Sequence, residues 1–203
     1  TGGFAAGKEA RAECRGAWPP VGDHFAAEAL HLAHQAWKTG TNTFETSAVG
    51  RLFDAAAALV LGRHHASFEG QGPMELEHAA QDACEAMALP IVADADGILR
   101  SDWAPLLPVL TDANRSAAGR AGIFHETMAR VVLDQALAVR SQTHYDAVGL
   151  SGGVFQNRVL TDAVIELLEA SGFDVFLPLA LPCNDAAVSY VKAAEVAARQ
   201  AHG

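Results

Sequence analysis

Hydrophobic residues recur every three or four positions through most of the first 142 residues, and this spacing predicts helices. We expect four of them, over residues 24–38, 46–62, 74–87 and 117–141. Asp23 is expected to cap the first helix, Thr46 or Ser47 to cap the second, and Gly62 to end it. Residues 88–112 contain three prolines and therefore predict short extended pieces and turns.

The pattern changes after residue 142, where short hydrophobic runs alternate with helical spacing. Two strands and two helices are predicted in alternation, at residues 145–150, 155–171, 173–178 and 185–201. A glycine turn follows the first strand and a polar loop follows the second, which is typical of a βαβ unit. The sequence therefore predicts an α/β chain, with a mainly helical part over residues 1–142 and a small βαβ part over residues 143–203.

The balance of charge argues against a nucleic-acid partner. The chain has 24 acidic and 14 basic side chains, a net charge of −10, and no dense cluster of lysine and arginine. A nucleic-acid backbone would find little compensating charge on it. No run of about 18 apolar residues occurs, so we predict no membrane span. Cys14, Cys84 and Cys183 lie outside any CxxC pair, which predicts no disulfide framework or cysteine zinc site and fits a cytoplasmic protein.

The first candidate site is the segment VGLSGGVFQN, residues 148–157, which follows the first predicted strand. Gly152 and Gly153 let the backbone turn sharply after Ser151 and approach a ligand closely. Backbone N–H groups at the start of the next helix suit a phosphate or a sugar, and Asn157 offers both a donor and an acceptor. A plain strand-to-helix turn also explains the two glycines, so the pattern alone leaves both interpretations open.

The second candidate site is the loop after the next strand, which contains Asn184 and Asp185. An aspartate at a helix N-terminus is often only a cap. A carboxylate in such a loop could also bind a hard metal ion beside a phosphate. Because the two loops follow consecutive strands of one sheet, we expect them to open on the same edge and to share a ligand site.

Polar side chains of the helical part are further candidates. Asp54 lies off the hydrophobic stripe of its helix, where it could accept hydrogen bonds from ribose hydroxyls or simply be solvated. Glu69, Gln71, Glu75 and Glu77 could orient a polar substrate, or they could form a solvated loop and the acidic start of a helix. The sequence assigns these four residues no role.

Histidines occur in pairs that could be taken for metal ligands. His64 and His65 are consecutive and point in different directions, so we expect them at the surface. His31 and His34 share a helix face with apolar residues, which favours packing. His125 lies within the long predicted helix, where we expect it to be partly buried.

Four segments of the chain resemble the hydrogenase-maturation carbamoyltransferases of the HypF family. They read SAVGRLFDAAAALVLG, SFEGQGPMELE, AVGLSGGVFQNRVL and PCNDAAVSY, and they occur in the family's order at near-family spacing. With the intervening helices, the resemblance covers most of residues 40–195. Enzymes that make threonylcarbamoyl-adenosine in tRNA share the fold and a related GGV…N segment, but the stretch EGQGPMELE favours the hydrogenase branch.

The resemblance implies a fold and a reaction. The fold would be an actin/Hsp70/sugar-kinase-like (ASKHA) lobe, the C-terminal lobe of a Kae/TsaD-like carbamoyltransferase domain. We expect the first lobe and the N-terminal domains of the family to lie outside this chain. The implied reaction moves a carbamoyl group from carbamoyl-adenylate, made from carbamoyl phosphate and ATP, to the C-terminal cysteine of a HypE-type acceptor. That group becomes the cyanide ligand of the nickel–iron hydrogenase.

The resemblance also implies roles for particular residues. The nucleotide-binding residues are expected to be Gly50, Asp54, Ser151, Gly152, Gly153, Asn157 and Asn184. Asp185 matches a carboxylate that binds a divalent metal, which would be magnesium, zinc or iron. The catalytic residues are not identified.

The chain also departs from the family pattern. Phe68 stands where tyrosine is expected, Gly72-Pro73 where small residues such as alanine are usual, and PCNDAA where PxNDGG is common. The family's histidine-rich metal motif does not occur in this sequence, so the chain by itself is expected to be inactive. Two alternatives stay open: a non-catalytic module that binds a nucleotide or docks a partner, and a relative of the tRNA threonylcarbamoyl enzymes.

Overall fold

The computed structural model describes residues 27–80, 85–94, 96–178 and 180–201. The helices are α1 (Ala27–Thr39), α2 (Val49–Leu61), α3 (Gln71–Ala79), α4 (Leu106–Leu110), α5 (Ala117–Thr143), α6 (Arg158–Ala170) and α7 (Val188–Ala201). Two short 3-10 helices, Gly153–Gln156 and Asp185–Ala187, precede α6 and α7. The structure confirms the predicted order of the longer helices and of the βαβ elements, but α4 lies where only extended pieces and turns were predicted. Asp23 lies outside the described residues.

Four strands form two small sheets. Strands β1 (Ile91–Ala93) and β2 (Leu99–Ser101) pair antiparallel as a hairpin, within the stretch where extended pieces were predicted. Strands β3 (Ala147–Gly149) and β4 (Asp174–Phe176) pair parallel, with α6 between them in the chain. A parallel pair needs such a crossover, so the predicted βαβ unit is confirmed.

The C-terminal end of α2 was predicted correctly, but its N-terminal end was not. Gly62 ends the helix with φ 66°, and its N–H donates to the carbonyl of Ala58, as expected for a glycine cap. The prediction that Thr46 or Ser47 caps the start is wrong, because Ala48 occupies that position and offers no side-chain oxygen. The Thr46 hydroxyl instead accepts from the Ala48 N–H in a local turn before the helix.

Helix α3 begins earlier than predicted. Gly70 adopts φ 84° and Gln71 is already helical, although the glycine and proline of this stretch favoured a loop. Pro73 fits in the first turn because the N–H groups there have no intrahelical partner to lose. The helix ends at Ala79, with Ala80 as its C-cap. Residues 81–84 lie outside the described part, and residues 85–87, which were also predicted to be helical, are not helical.

The core lies between the long helix α5 and the helices that pack on it. Helices α2, α3, α4 and α6 all contact α5, and α2 also packs against α3. The largest fully buried side chains include Phe53, Phe124, Leu76, Leu106 and Leu168. The βαβ unit is therefore fixed to the helical part through α6 rather than joined by a free linker.

Arg120 ties three helices together within this core. Its guanidinium donates to the carbonyls of Val60 and Leu110, at 3.1 and 2.8 Å, and more distantly to that of Leu59. These carbonyls belong to the C-terminal turns of α2 and α4, where the helix dipole favours a positive charge. The arginine thus fixes α2 against α4 and α5.

Helix α7 contributes almost nothing to this core. Every side chain from Val188 to Gln200 is exposed, and the helix contacts mainly the 3-10 helix that precedes it. Among the described residues, no helix is long and apolar enough to cross a membrane.

Candidate functional site

The two predicted ligand loops meet at the carboxyl ends of β3 and β4. The Gly152 N–H donates to the Cys183 carbonyl at 2.6 Å, and a Cβ added to Gly153 would lie 3.8 Å from the Cβ of Asn184. The expectation that both loops open on one sheet edge is therefore confirmed. One ligand is able to touch both loops at once.

An open cleft of about 370 Å³ lies over this edge. One wall comes from Ser151 and Gly152, and another from Asn184 and Asp185. The rest of the lining comes from the first turns of α7, including Lys192 and Glu195, and from the apolar residues Pro178, Leu181 and Pro182. The cleft is thus lined by polar and apolar residues of the two loops and by one exposed helix.

Gly152 is the residue of this turn that has to be glycine. Its φ of 110° and ψ of 153° lie where a side chain is strained. Gly153 has no such φ, and an added Cβ would meet only an ordinary contact with Asn184. The sharp turn that the sequence predicted at the glycine pair therefore depends on Gly152.

The Asn157 side chain points into the protein. Its Nδ2 donates to His125 Nε2 at 2.9 Å, and its Oδ1 accepts from the Leu160 N–H at 2.9 Å. Only 8% of the residue is exposed. Asn157 therefore caps α6, and its predicted contact with adenosine stays a prediction.

His125 is the site residue whose environment the sequence did not predict. It was expected to be partly buried, but it is 1% exposed. Its Nδ1 lies 2.8 Å from the Ala121 carbonyl and so carries the proton, which leaves Nε2 to accept from Asn157. The Phe53 ring contacts the imidazole edge-on, with ring centroids 5.4 Å apart.

Burial lowers the pKa of His125 below its ordinary value of 6.5, although the Ala121 hydrogen bond and Glu77 on α3 act in the opposite direction. The unfolded chain therefore binds a proton more readily than the folded chain does. The stability that neutral His125 contributes is complete above pH 6.5 and decreases as the pH falls below that value.

We expect the free energy of unfolding to decrease below pH 6.5 for the wild-type chain, and to decrease less for His125→Gln. Urea unfolding at a series of pH values between about 8 and 5 measures both curves. Identical acid dependence in the two proteins would contradict the burial of a neutral imidazole.

Gly50 and Asp54 lie on α2, which contacts the 3-10 helix Gly153–Gln156. Asp54 forms an ion pair with Arg51 at 3.3 Å, and 38% of its side chain is exposed. No atom lies within 4 Å of a Cβ built on Gly50. Asp54 Oδ1 also lies 3.8 Å from a Cβ built on Gly72, so the carboxylate faces the start of α3.

Asn184 and Asp185, the two polar residues of the loop after β4, have different roles. Asn184 caps the following 3-10 helix, because its Oδ1 accepts from the Ala186 N–H at 3.1 Å. The interpretation of Asp185 as the cap is therefore wrong. Asp185 is exposed at the cleft, and its carboxylate is available to a ligand.

A metal site is not complete within the described residues. In that part of the chain, no three His, Cys, Asp or Glu side chains are close enough together to hold an ion. His34 contacts the Trp37 ring, with centroids 5.7 Å apart, but His31 and His34 are both exposed, so the packing expected for this pair stays a prediction. Asp185 is one carboxylate ligand, and any others have to come from elsewhere.

Comparison with known families decides what kind of protein carries this cleft. Residues 6–190 match the family model described as the carbamoyltransferase, Kae1-like domain, second subdomain. The chain belongs to the HypF family.

The chain is similar to part of longer HypF proteins from three bacteria. The chain is 29% identical to the carbamoyltransferase HypF of Synechocystis over 84% of its own length, 35% to that of Rhizobium leguminosarum over 71%, and 32% to that of Rhodobacter capsulatus over 86%. It spans only 25%, 19% and 23% of those relatives. The chain thus corresponds to about a quarter or less of these proteins.

Two solved HypF structures are similar in fold. Full-length HypF in the phosphate- and nucleotide-bound form superposes with a TM-score of 0.73 at 32% identity, over 80% of this chain and 22% of that one. HypF of T. kodakarensis gives a TM-score of 0.68 at 24% identity, which supports the fold alone.

In this HypF-family chain, the acidic cluster forms a network of internal bonds. Arg63 donates twice to Glu75, at 2.6 and 2.8 Å, and Gln71 donates to the same carboxylate while accepting from the Ser67 N–H. These hydrogen bonds, that of Gln71 foremost, lower the pKa of Glu75. The network holds the loop before α3, whereas Glu69 is exposed.

Glu77 connects this region to the candidate site. Its Oε1 accepts from the Arg158 N–H, the first of α6, at 2.7 Å. The negative charge is favourable at a helix N-terminus. Glu77 thus fixes α3 to the start of the helix that follows the glycine loop, a contact between residues distant in the chain.

Proposed function

We propose that this chain is the nucleotide-holding, ASKHA-like lobe of a carbamoyltransferase that uses carbamoyl-adenylate. The acceptor is the C-terminal cysteine of a HypE-type protein, and the product leads to the cyanide ligand of nickel–iron hydrogenase. The observation that carries the proposal is the Gly152–Cys183 hydrogen bond, which joins the two polar loops at the carboxyl ends of parallel strands in a HypF-family chain.

The cleft suits an adenylate in three respects. The turn at Gly152 brings the backbone of the loop to the cleft without a side chain in the way. Asp54 is a partly exposed carboxylate on α2, the helix that contacts this loop, and carboxylates accept hydrogen bonds from ribose hydroxyls. Ser151 and Asn184 line the opening. We assign these residues, with Gly50 and Gly153, to nucleotide binding.

The proposed transfer is a substitution at the carbamoyl carbon. The thiolate sulfur of the acceptor attacks that carbon, a C–S bond forms, and the C–O bond to the adenylate phosphate breaks. Adenosine monophosphate leaves with the electron pair of that bond, so no oxidant or reductant is needed. The role of this chain is to hold the adenylate, and the two lobes together would exclude the water that hydrolyses it.

The described residues supply only part of the ligand set that a divalent metal needs. Mg²⁺ takes six oxygen ligands, and Zn²⁺ usually takes at least three protein groups. Asp185 supplies one exposed carboxylate at the cleft, and the described residues do not complete the set. We therefore assign Asp185 as one ligand of a site whose other ligands lie outside the described residues, where the metal would neutralise phosphate charge.

A non-catalytic nucleotide-binding module is the second candidate. It is favoured by the inward orientation of Asn157 and by the incomplete ligand set around Asp185. One measurement distinguishes the two functions, because only the carbamoyltransferase produces a thiocarbamate on an acceptor cysteine.

Labelled carbamoyl phosphate, ATP and a HypE-type acceptor test the main proposal in the complete carbamoyltransferase, with its other domains supplied. We expect label on the acceptor cysteine and release of adenosine monophosphate. The chain alone is expected to give neither product. Nucleotide binding without transfer in the complete protein would favour the non-catalytic module.

Asp54→Ala is expected to weaken adenosine-nucleotide binding about tenfold or more in the complete carbamoyltransferase domain. A hydrogen-bonded carboxylate–ribose contact contributes on the order of 1–3 kcal/mol, which corresponds to this loss. Titration calorimetry with ATP measures it. Asp134→Ala is the matched control, because Asp134 forms a similar ion pair one turn along α5 from Arg130. Equal affinity of Asp54→Ala and Asp134→Ala would make Asp54 an ordinary surface residue.

A further inference from the structure

One buried histidine connects the two segments that we assign to the nucleotide. His125 accepts from Asn157, the last residue of the glycine loop, and its ring contacts Phe53, which is adjacent to Asp54 in α2. The imidazole is 1% exposed, so it cannot touch a ligand in the cleft. Its position instead determines where the loop and α2 lie relative to each other.

We propose that His125 is a positioning residue of the nucleotide site, acting through Asn157 on the loop that carries Gly152 and Gly153. The inference rests on the proposed nucleotide-binding function. It adds a residue that contacts neither nucleotide nor acceptor.

The first step of the argument is that His125 fixes the orientation of the Asn157 amide. The imidazole donates from Nδ1 to Ala121, so only Nε2 is left, and it is an acceptor. An acceptor there selects the Asn157 rotamer that turns Nδ2 inward and leaves Oδ1 for the Leu160 N–H. A flipped amide would place its oxygen against Nε2 and lose the cap of α6.

The second step connects Asn157 to the turn before it. The Asn157 N–H donates to Val154, and the Phe155 N–H donates to the Gly152 carbonyl. The Thr161 hydroxyl in the first turn of α6 also donates to Phe155, at 2.9 Å. The glycine turn is therefore bonded to the start of α6 at several points, and Asn157 is its anchor to the core.

Three variants in the complete carbamoyltransferase domain separate positioning from stability. His125→Leu removes the acceptor and leaves the buried Asn157 Nδ2 without a partner. His125→Gln keeps an acceptor, since its terminal oxygen reaches the place of Nε2. Thr127→Val is the matched control, because Thr127 is fully buried on the same helix and its hydroxyl accepts from Met87, far from the loop.

Titration calorimetry gives the ATP dissociation constant, and thermal unfolding gives Tm. We expect His125→Leu to weaken ATP binding about tenfold, the equivalent of one lost buried hydrogen bond. His125→Gln should restore most of that affinity. Thr127→Val should lower Tm by a similar amount to His125→Leu and leave the dissociation constant unchanged.

Other outcomes overturn the inference in distinguishable ways. If wild type binds ATP and His125→Leu binds it equally well, or if Thr127→Val weakens binding as much, His125 is only a core residue. If His125→Gln is as weak as His125→Leu, the acceptor at Nε2 does not matter. If the wild-type domain does not bind ATP, the proposed function fails and this inference with it.

Discussion

Phe53→Ala is expected to destabilise the chain by about 3–5 kcal/mol, the range for removing a large aromatic side chain from a packed core. Phe53 is 1% exposed and lies at the centre of the interface between α2 and α5. Its ring meets Phe124 edge-on with centroids 4.8 Å apart, and it also contacts His125. The variant loses both aromatic contacts and leaves a cavity that the helices fill only in part. A loss of this size is a large part of the stability of an ordinary domain, which is about 5–15 kcal/mol.

Urea unfolding followed by circular dichroism measures this loss. Phe44→Ala is the matched control, because Phe44 is 93% exposed and its removal should change the free energy of unfolding by less than about 0.5 kcal/mol. Similar curves for the two variants would mean that α2 does not pack on α5 as described. The same comparison reports on the site, since α2 carries Asp54 and borders the glycine loop.

The order of elements could be predicted because it depends on local patterns. The period of hydrophobic residues predicted α2 and α5 almost to their ends, and Gly62 correctly marked the end of α2. Errors arose where two local preferences compete. The stretch before α3 contains glycine and proline, which favour a loop, yet Pro73 is tolerated in a first helical turn. Thr46 and Ser47 both favour a cap, yet the Thr46 hydroxyl bonds locally to the Ala48 N–H and the helix begins after Ala48.

The meeting of the two loops was predictable from topology alone. Parallel strands β3 and β4 end at the same edge, so the residues that follow them have to be neighbours. The bond between His125 and Asn157 was not predictable, because it joins side chains 32 positions apart on different helices. Glu77 and the N–H of Arg158 are 81 positions apart. Such pairs depend on how the helices cross, and the crossing of helices cannot be predicted from the pattern of hydrophobic residues along the sequence.

These long-range bonds explain why residues outside the cleft matter to the proposed site. The start of α6 is held by the Asn157 cap from within the loop, by His125 from α5 and by Glu77 from α3. Two helices of the helical part thus fix the start of the helix that follows the glycine turn, together with the Asn157 cap from the loop itself. The helical part is therefore a support for the loop geometry, and the proposed ligand contacts come mainly from the βαβ part and α2.

Asp185→Ala is expected to abolish carbamoyl transfer in the complete carbamoyltransferase. Asp185 is exposed at the cleft, and Asn184 already caps the 3-10 helix, so the substitution should leave the fold and Tm unchanged. The expected loss follows from removing a carboxylate ligand of a metal that neutralises phosphate charge. Asp162→Ala is the matched control, since Asp162 is an exposed carboxylate on α6 paired with Arg158. Transfer is measured as label from carbamoyl phosphate on the acceptor cysteine.

The 203-residue chain by itself is expected to carry no stoichiometric metal at this position. One carboxylate cannot hold a divalent ion against water, because Mg²⁺ requires six oxygen ligands and Zn²⁺ usually at least three protein groups. Elemental analysis of the purified chain, before and after addition of magnesium, zinc or iron, measures this occupancy. The complete carbamoyltransferase should retain metal that Asp185→Ala loses. One tightly held metal in the chain alone, lost on Asp185→Ala, would show that this lobe assembles a site from its own residues and that the division of ligands between lobes is wrong.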